Sequence, residues 1–349
     1  MECILNHKSK KGKTYEKVQK ICLNFTYPAT YSRDILRNSD ERKTRPVQNI
    51  YSSGSSAEVK FLHRLEDCIR KTQVLSEWQD EKRFSRIGND YYCFDTKGNM
   101  HTGWQYTGKR YRYFDKKTGK MRINTTIQGR KINSKGVWTP VIVLDPGHSG
   151  KVARGTEPIG PGSGERKAKD VSGTIGCVTR VNEYQLTLQV AKKLQTELKK
   201  QGCKVILTRK DNKTAISCAQ RAQKANKAKA DAYLRIHANA VDFSSANGAL
   251  TISVSRRNRF IGSKMVKKCY ALSKAVLDSY VKATGCRREY IWENDTMSGN
   301  NWSKVPTTLI ELGYMSNPGE DRKMQSASYQ KKMVKGLSDG IRRFLISAK

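Results

Sequence analysis

The sequence predicts an α/β fold: a mostly parallel sheet covered by helices on both faces, preceded by a small β-hairpin repeat module. Three observations carry this expectation. Short apolar runs such as Val141-Ile142-Val143-Leu144 alternate with segments of helical periodicity through residues 139–349. Tyr91-Tyr92-Cys93-Phe94-Asp95 recurs 20 residues later as Tyr111-Arg112-Tyr113-Phe114-Asp115. The chain, at 349 residues, is longer than a typical single domain of ~100–200 residues. Three regions follow: 1–75, 76–138 and 139–349.

Residues 1–75 are polar and basic, and read as a poorly ordered or marginally structured region. Their one helical signal lies near Val59–Val74, where Phe61, Leu65, Cys68 and Ile69 fall close to a 3.6-residue period.

In residues 76–138 each aromatic motif is followed by Gly and Met, as Gly98 and Met100, then Gly119 and Met121. Thr102-Gly103-Trp104 lies between the copies, and a worn third copy runs from Gly129 to Gly136. Alternating aromatics, then Asp, then a Gly turn describe one hairpin per repeat, and hairpins this small bury their aromatics only against a neighbour. The module is a spacer, or a ligand module whose aromatics cage a cation or stack on sugars. These residues resemble the cell-wall-binding repeats of the choline- and glucan-binding type. Two departures, Asn124-Thr125 in place of a Gly-Trp pair and a third copy without aromatics, favour anchoring or spacing over a choline cage.

Residues 139–349 read as one domain. Val141–Leu144 is a buried strand. Leu186, Val190, Leu194 and Leu198 mark a helix over Glu183–Lys200, closed by Gly202. A strand at Lys204–Thr208, a basic helix at Ser217–Ala228 and strands at Ala232–Ile236 and Leu250–Val254 follow. A long helix at Ser263–Thr284, a strand at Thr307–Ile310 and a closing helix at Tyr329–Ile346 complete the domain.

Charge and cysteine content narrow the setting. The 67 Lys and Arg against 31 Asp and Glu leave +36, divided as +15 over residues 1–138 and +21 over 139–349. A field this strong attracts polyanions: nucleic acid, acidic lipid or an anionic wall polymer. No apolar stretch reaches the ~18–20 residues of a membrane span. Nine cysteines, an odd number with no C-x-x-C, read as small reduced thiols rather than a zinc ribbon or a disulfide framework. No secretory signal is visible in the N-terminal residues.

Two of the five histidines, His148 and His237, fall just past the ends of expected strands, at the edge where open α/β sheets build ligand sites. Glu311 ends a third strand, and Glu183 opens the first long helix, where a carboxylate is favoured. Singly, each has a plain structural explanation; Asp145, for instance, could cap the turn before His148. Jointly, two imidazoles and a carboxylate form a catalytic zinc set with an open position, and a second carboxylate is left to act as base.

Leu144-Asp145-Pro146-Gly147-His148, Glu183, Thr208-Arg209, Arg235-Ile236-His237-Ala238-Asn239 and Ile310-Glu311-Leu312-Gly313-Tyr314-Met315-Ser316-Asn317 resemble the zinc-dependent N-acetylmuramoyl-L-alanine amidases, over nearly all of residues 140–347. The resemblance implies one Zn2+ per chain held by His148, Glu183 and His237, with Glu311 as catalytic residue. It also implies hydrolysis of the amide between N-acetylmuramic acid and L-alanine in peptidoglycan, and an extracellular or cell-wall location. Peptidoglycan is then the partner, with anionic wall polymers a further one and no specific nucleic acid. The alternatives are a non-catalytic wall-binding protein and a polyanion- or nucleic-acid-binding protein. Intact metal and base positions argue against the first, and the lack of any DNA or RNA recognition motif argues against the second. The Gly-, Pro- and charge-rich segment 149–182 either walls the cleft or is a surface insertion without a catalytic part.

Overall fold

The structure is a computed structural model that describes residues 83–347. The 1–75 region, with its expected helix at 59–74, lies outside the described residues, as do residues 76–82.

The repeat region forms antiparallel hairpins. Strands β1 (Arg83–Ile87) and β2 (Asp90–Phe94) pair, with the short β3 (Met100–His101) beside β2. Strands β4 (Gly103–Thr107) and β5 (Arg110–Phe114) form the second hairpin, and β6 (Thr125–Ile127) and β7 (Arg130–Ile132) the third. The aspartate closing each aromatic motif shapes the turn that follows it. Asp95 accepts from the N–H groups of Lys97 and Asn99, and Asp115 from those of Lys117 and Thr118. Such side-chain bonds substitute for a backbone turn. The worn third copy keeps the device with Asn133, which accepts from Lys135 and Val137.

The hairpin aromatics do not stand free. Trp104, Tyr111, Ile132 and Trp138 share one buried core with the domain that follows. Trp104 and Trp138 pack as a tilted pair with ring centroids 5.0 Å apart. The Arg130 guanidinium lies 4.3 Å from the Trp138 ring and 5.0 Å from Trp104, and donates to the Leu345 carbonyl at 2.9 Å. An arginine over an indole face is attracted by the ring quadrupole, more strongly where water is excluded.

The domain is built on a six-stranded sheet of order β11-β8-β12-β15-β13-β14. Its strands are β8 (Val141–Pro146), β11 (Lys204–Leu207), β12 (Ala232–Asn239), β13 (Ala249–Ser253), β14 (Arg288–Glu293) and β15 (Thr307–Tyr314). All neighbours are parallel except β13 and β15. A small hairpin, β9 (Thr156–Pro158) with β10 (Arg166–Ala168), lies within the 149–182 segment.

Helices α1 (Glu183–Lys200), α3 (Ser263–Thr284) and α6 (Ala327–Ser347) carry Leu186, Leu194, Leu272, Val276, Leu337 and Phe344 onto one face, against Ile142, Leu144, Leu234 and Ile236. On the other face α2 (Cys218–Lys227) packs Ala222 and Ala225 against Val143 and Tyr233. The short α4 (Ser298–Asn301) covers the same side, and α5 (Pro318–Gln325) follows β15. Strand β12 therefore has two characters. Leu234 and Ile236 enter the large core, while Tyr233, Arg235 and His237 alternate onto the opposite face.

The expected helices at 183–200 and 263–284 match in extent, and Gly202 takes the left-handed conformation just past the first. The strands expected at 232–236 and 307–310 run on to Asn239 and Tyr314. Strands β9, β10 and β14 and helices α4 and α5 add to the expected elements. All six described cysteines are free thiols.

Candidate metal centre

Strand β8 delivers the chain to Gly147 and His148 at its C-terminal end. His148 has φ of 56°, a left-handed conformation that costs a non-glycine residue energy and recurs at functional sites. Glu183 is the first residue of α1. His237 and Glu311 are register partners on adjacent parallel strands, so their side chains share the α2 face.

Three of the four converge. His148 Nε2 lies 3.2 Å from Glu183 Oε2 and 3.1 Å from His237 Nδ1, and His237 Nδ1 lies 3.0 Å from Glu183 Oε1. Ligand atoms bound at about 2.0–2.1 Å around one tetrahedral ion stand ~3.3 Å apart, so the donor set fits a small divalent cation. The tautomer of His148 fits as well. Its Nδ1 faces the Val171 carbonyl oxygen at 2.7 Å and must donate to it, which turns the Nε2 lone pair toward the cluster. His237 directs Nδ1 inward, while its Nε2 is buried with no partner.

Glu311 stands outside this trio. Its Oε2 is buried without a hydrogen-bond partner, although the residue as a whole keeps some exposure. Burial, and then the Glu183 charge, push its carboxyl well above the usual range, with Arg235 opposing. Glu183 shows the reverse balance: burial disfavours its charge, but the bonds from His148 and His237 outweigh this and hold its pKa down. Burial likewise resists charge on His148, yet Glu183, the Val171 carbonyl and Asp170 together raise its pKa. For His237 burial prevails and pulls the pKa down to about 4. The two buried carboxyls are thus shifted in opposite directions.

Beneath the trio lies a buried ionic cluster. Asp145 is not a turn cap. Its Oδ1 accepts from Thr208 Oγ1 at 2.5 Å and Arg221 Nη1 at 2.9 Å, and its Oδ2 from Tyr233 OH at 3.0 Å and Arg235 Nε at 3.1 Å. These donors keep it ionised despite complete burial. The arginines also hold the strained turn. Arg221 donates to the Pro146 and His148 carbonyls at 2.7 and 3.0 Å, and Arg209 to Gly147 at 2.8 Å. Neither Arg221 nor Asp170, 3.8 Å from His148 Nδ1, carries a signal in the sequence that sets it apart.

Gly147 is required by close approach, because a Cβ there would collide with the His237 ring. Segment 149–182 takes part directly: Val171 bonds His148, the Thr174 N–H donates to Glu183 Oε2 at 3.1 Å, and a Cβ on Gly173 would lie 2.6 Å from that oxygen.

A family model described as N-acetylmuramoyl-L-alanine amidase matches residues 142–343. The N-acetylmuramoyl-L-alanine amidase LytC of Bacillus subtilis (strain 168) is 29% identical over 182 residues, 52% of this chain and 34% of LytC. The probable cell wall amidase LytH of Staphylococcus aureus is 29% identical over 201 residues, 58% of this chain and 57% of LytH. The matched part thus spans a third to just over half of these relatives. The fold is also that of the N-acetylmuramyl-L-alanine amidase Ami1 from Mycobacterium smegmatis, with a TM-score of 0.54 at 22% identity over 59% of this chain and 96% of that one.

Proposed function

The chain belongs to the N-acetylmuramoyl-L-alanine amidase family, and from that membership we propose that it hydrolyses the amide between N-acetylmuramic acid and L-alanine in peptidoglycan. The observation that carries the reading is the convergence of His148, Glu183 and His237 at the C-terminal edge of the sheet, with Glu311 beside His237. The three would hold one zinc ion. Bound there, zinc supplies Lewis acidity toward the scissile carbonyl and lowers the pKa of a water toward ~7.

The remaining work falls to the chain. Glu311 Oε2, buried and without a competing donor, takes a proton from the attacking water and returns it to the leaving amine. Its raised pKa suits a carboxyl that must hold a proton between those two steps. Val171 and Asp170 orient His148 through Nδ1, and Arg209 and Arg221 keep the turn that presents it. Catalysis is assigned to residues 139–349. The repeats read as a brace or spacer, since Trp104 and Trp138 are only 6% and 5% exposed and face Arg130.

An extracellular or cell-wall site of action follows from this substrate. Among the described residues, no helix is long and apolar enough to cross a membrane. The test is purified full-length protein with a soluble muramoyl-peptide, read by mass spectrometry for a free L-alanine amine, alongside metal analysis. About one zinc per chain and the expected products are required. In H148A both should be lost, and full zinc occupancy in that variant would remove His148 from the ligand set.

A further inference from the structure

A second concave feature lies at the opposite end of the sheet. Strands β12 and β15 begin there, at Ala232 and Thr307, five residues below His237, or ~16 Å at about 3.3 Å per residue. Between the third hairpin and the body of the domain is a cavity of about 400 Å³. Its cations come from four separate elements: Arg130 on β7, Lys229 in the turn after α2, Lys268 on α3 and Lys304 before β15. The one carboxylate on its wall is Asp231, whose Oδ2 already accepts from the Val141 N–H at 2.8 Å.

Lys229, Lys268 and Lys304 close no ion pair among the described residues. Asp231 interacts with Arg130 and Lys268 but is one carboxylate against four cations, so the cavity keeps an excess of positive charge that an entering anion would offset. Lys229 is exposed and lines the cavity, with φ of 48° at a helix C-terminus where glycine is the ordinary residue. A second cavity of about 420 Å³ adjoins the first, sharing Met265 and Lys268 and adding Lys264. The two adjoining depressions together carry Arg130, Lys229, Lys264, Lys268 and Lys304, more positive charge than one small anion neutralises.

We propose that this groove binds a phosphodiester-linked wall polymer of the polyol-phosphate type, with successive phosphates over Lys304, Lys229 and Lys268. It would hold the enzyme on the wall at a surface remote from the metal centre. The choice of a wall polymer over other polyanions rests on the amidase reading; the groove and its charge do not.

The test uses the full chain and a fluorescent glycerol-phosphate oligomer, followed by anisotropy over a range of salt. The variant K229A/K268A/K304A is compared with K192A/K199A/K331A, which removes the same charge from exposed positions away from the cavity. The groove variant should bind about tenfold more weakly or worse. The slope of its log affinity against log salt should fall by roughly 2, at ~0.7 per neutralised phosphate of a flexible strand. The control should stay near wild type, and all three proteins should cleave the soluble muramoyl-peptide equally.

Equal loss in the control would reduce the effect to net charge and overturn the proposal. Competition by inorganic phosphate as effective as by the oligomer, at equal phosphate concentration, would overturn it in favour of a single-anion pocket. Duplex DNA bound as tightly, and lost in the same variant, would assign the groove to nucleic acid instead. If none of the proteins cleaves the muramoyl-peptide, the amidase reading fails while the anisotropy comparison still decides the groove.

Discussion

Replacing Glu311 with Gln should make the metal-free protein more stable and the enzyme slower, and both effects come from one buried oxygen. Oε2 of Glu311 has no hydrogen-bond partner, and Glu183, which is held ionised, adds repulsion. Glutamine leaves that position equally without a partner, so what the substitution removes is the charge, and each unit by which folding raises a pKa corresponds to about 1.4 kcal/mol. Because the carboxyl pKa is raised on folding, the native state holds this proton to higher pH than the unfolded chain does. Stability then falls as pH rises from the unfolded carboxyl pKa toward the folded one, and the cost persists above it. Glutamine has no such titration. In chelator-treated protein, E311Q should therefore exceed wild type by about 1–3 kcal/mol at pH 8, seen as roughly 2–4 °C in Tm per kcal/mol. The gap should close near pH 4, where Glu311 is neutral in both states. With zinc restored, turnover should fall ~10²–10⁴-fold while zinc content is unchanged. A variant no more stable than wild type at pH 8, or a gap of the same size at pH 4, would refute the argument. Zinc loss in E311Q would make Glu311 a ligand and Glu183 the base.

Three further outcomes follow from the geometry. D145N leaves one acceptor oxygen for Thr208, Arg221, Tyr233 and Arg235 and strips the charge opposing two buried arginines, so urea unfolding should show a loss of roughly 3–5 kcal/mol; a change below ~1 kcal/mol would mean the cluster is not structural. At free zinc a hundredfold above Kd, wild type should gain about 2.7 kcal/mol of stability, whereas H148A should show no zinc-dependent shift in Tm. W138A removes a ring packed on Trp104, Tyr111 and Arg130, and should cost ~3–5 kcal/mol in the cooperative unfolding of the domain. An unchanged domain transition would show that the hairpins are not part of its core.

Much of this protein is legible in local sequence pattern, because pattern is where strand and helix periodicity reside. Leu186, Val190, Leu194 and Leu198 mark one helix face, and the apolar run at 141–144 marks a strand buried on both faces. His148, His237 and Glu311 are legible as residues at or near the C-terminal ends of strands, because a parallel sheet gathers those ends on one edge, although the strands of His237 and Glu311 run on to Asn239 and Tyr314. The β12 alternation is also present in the letters: Arg235 and His237 stand two apart between Leu234, Ile236 and Ala238.

What only the tertiary structure decided are contacts that chain separation hides. Asp145 meets Arg221, Tyr233 and Arg235 at separations of 76, 88 and 90 residues, and no local period encodes which of many arginines in a basic chain will be buried against it. Val171 and Gly173 lie in a segment without periodicity, and reach His148 and Glu183 only through the path of the folded loop. The repeat aromatics follow the same rule. Their pattern describes hairpins, but whether a tryptophan faces a ligand or the domain's own Arg130 depends on what packs against it, and that partner is set by the whole fold.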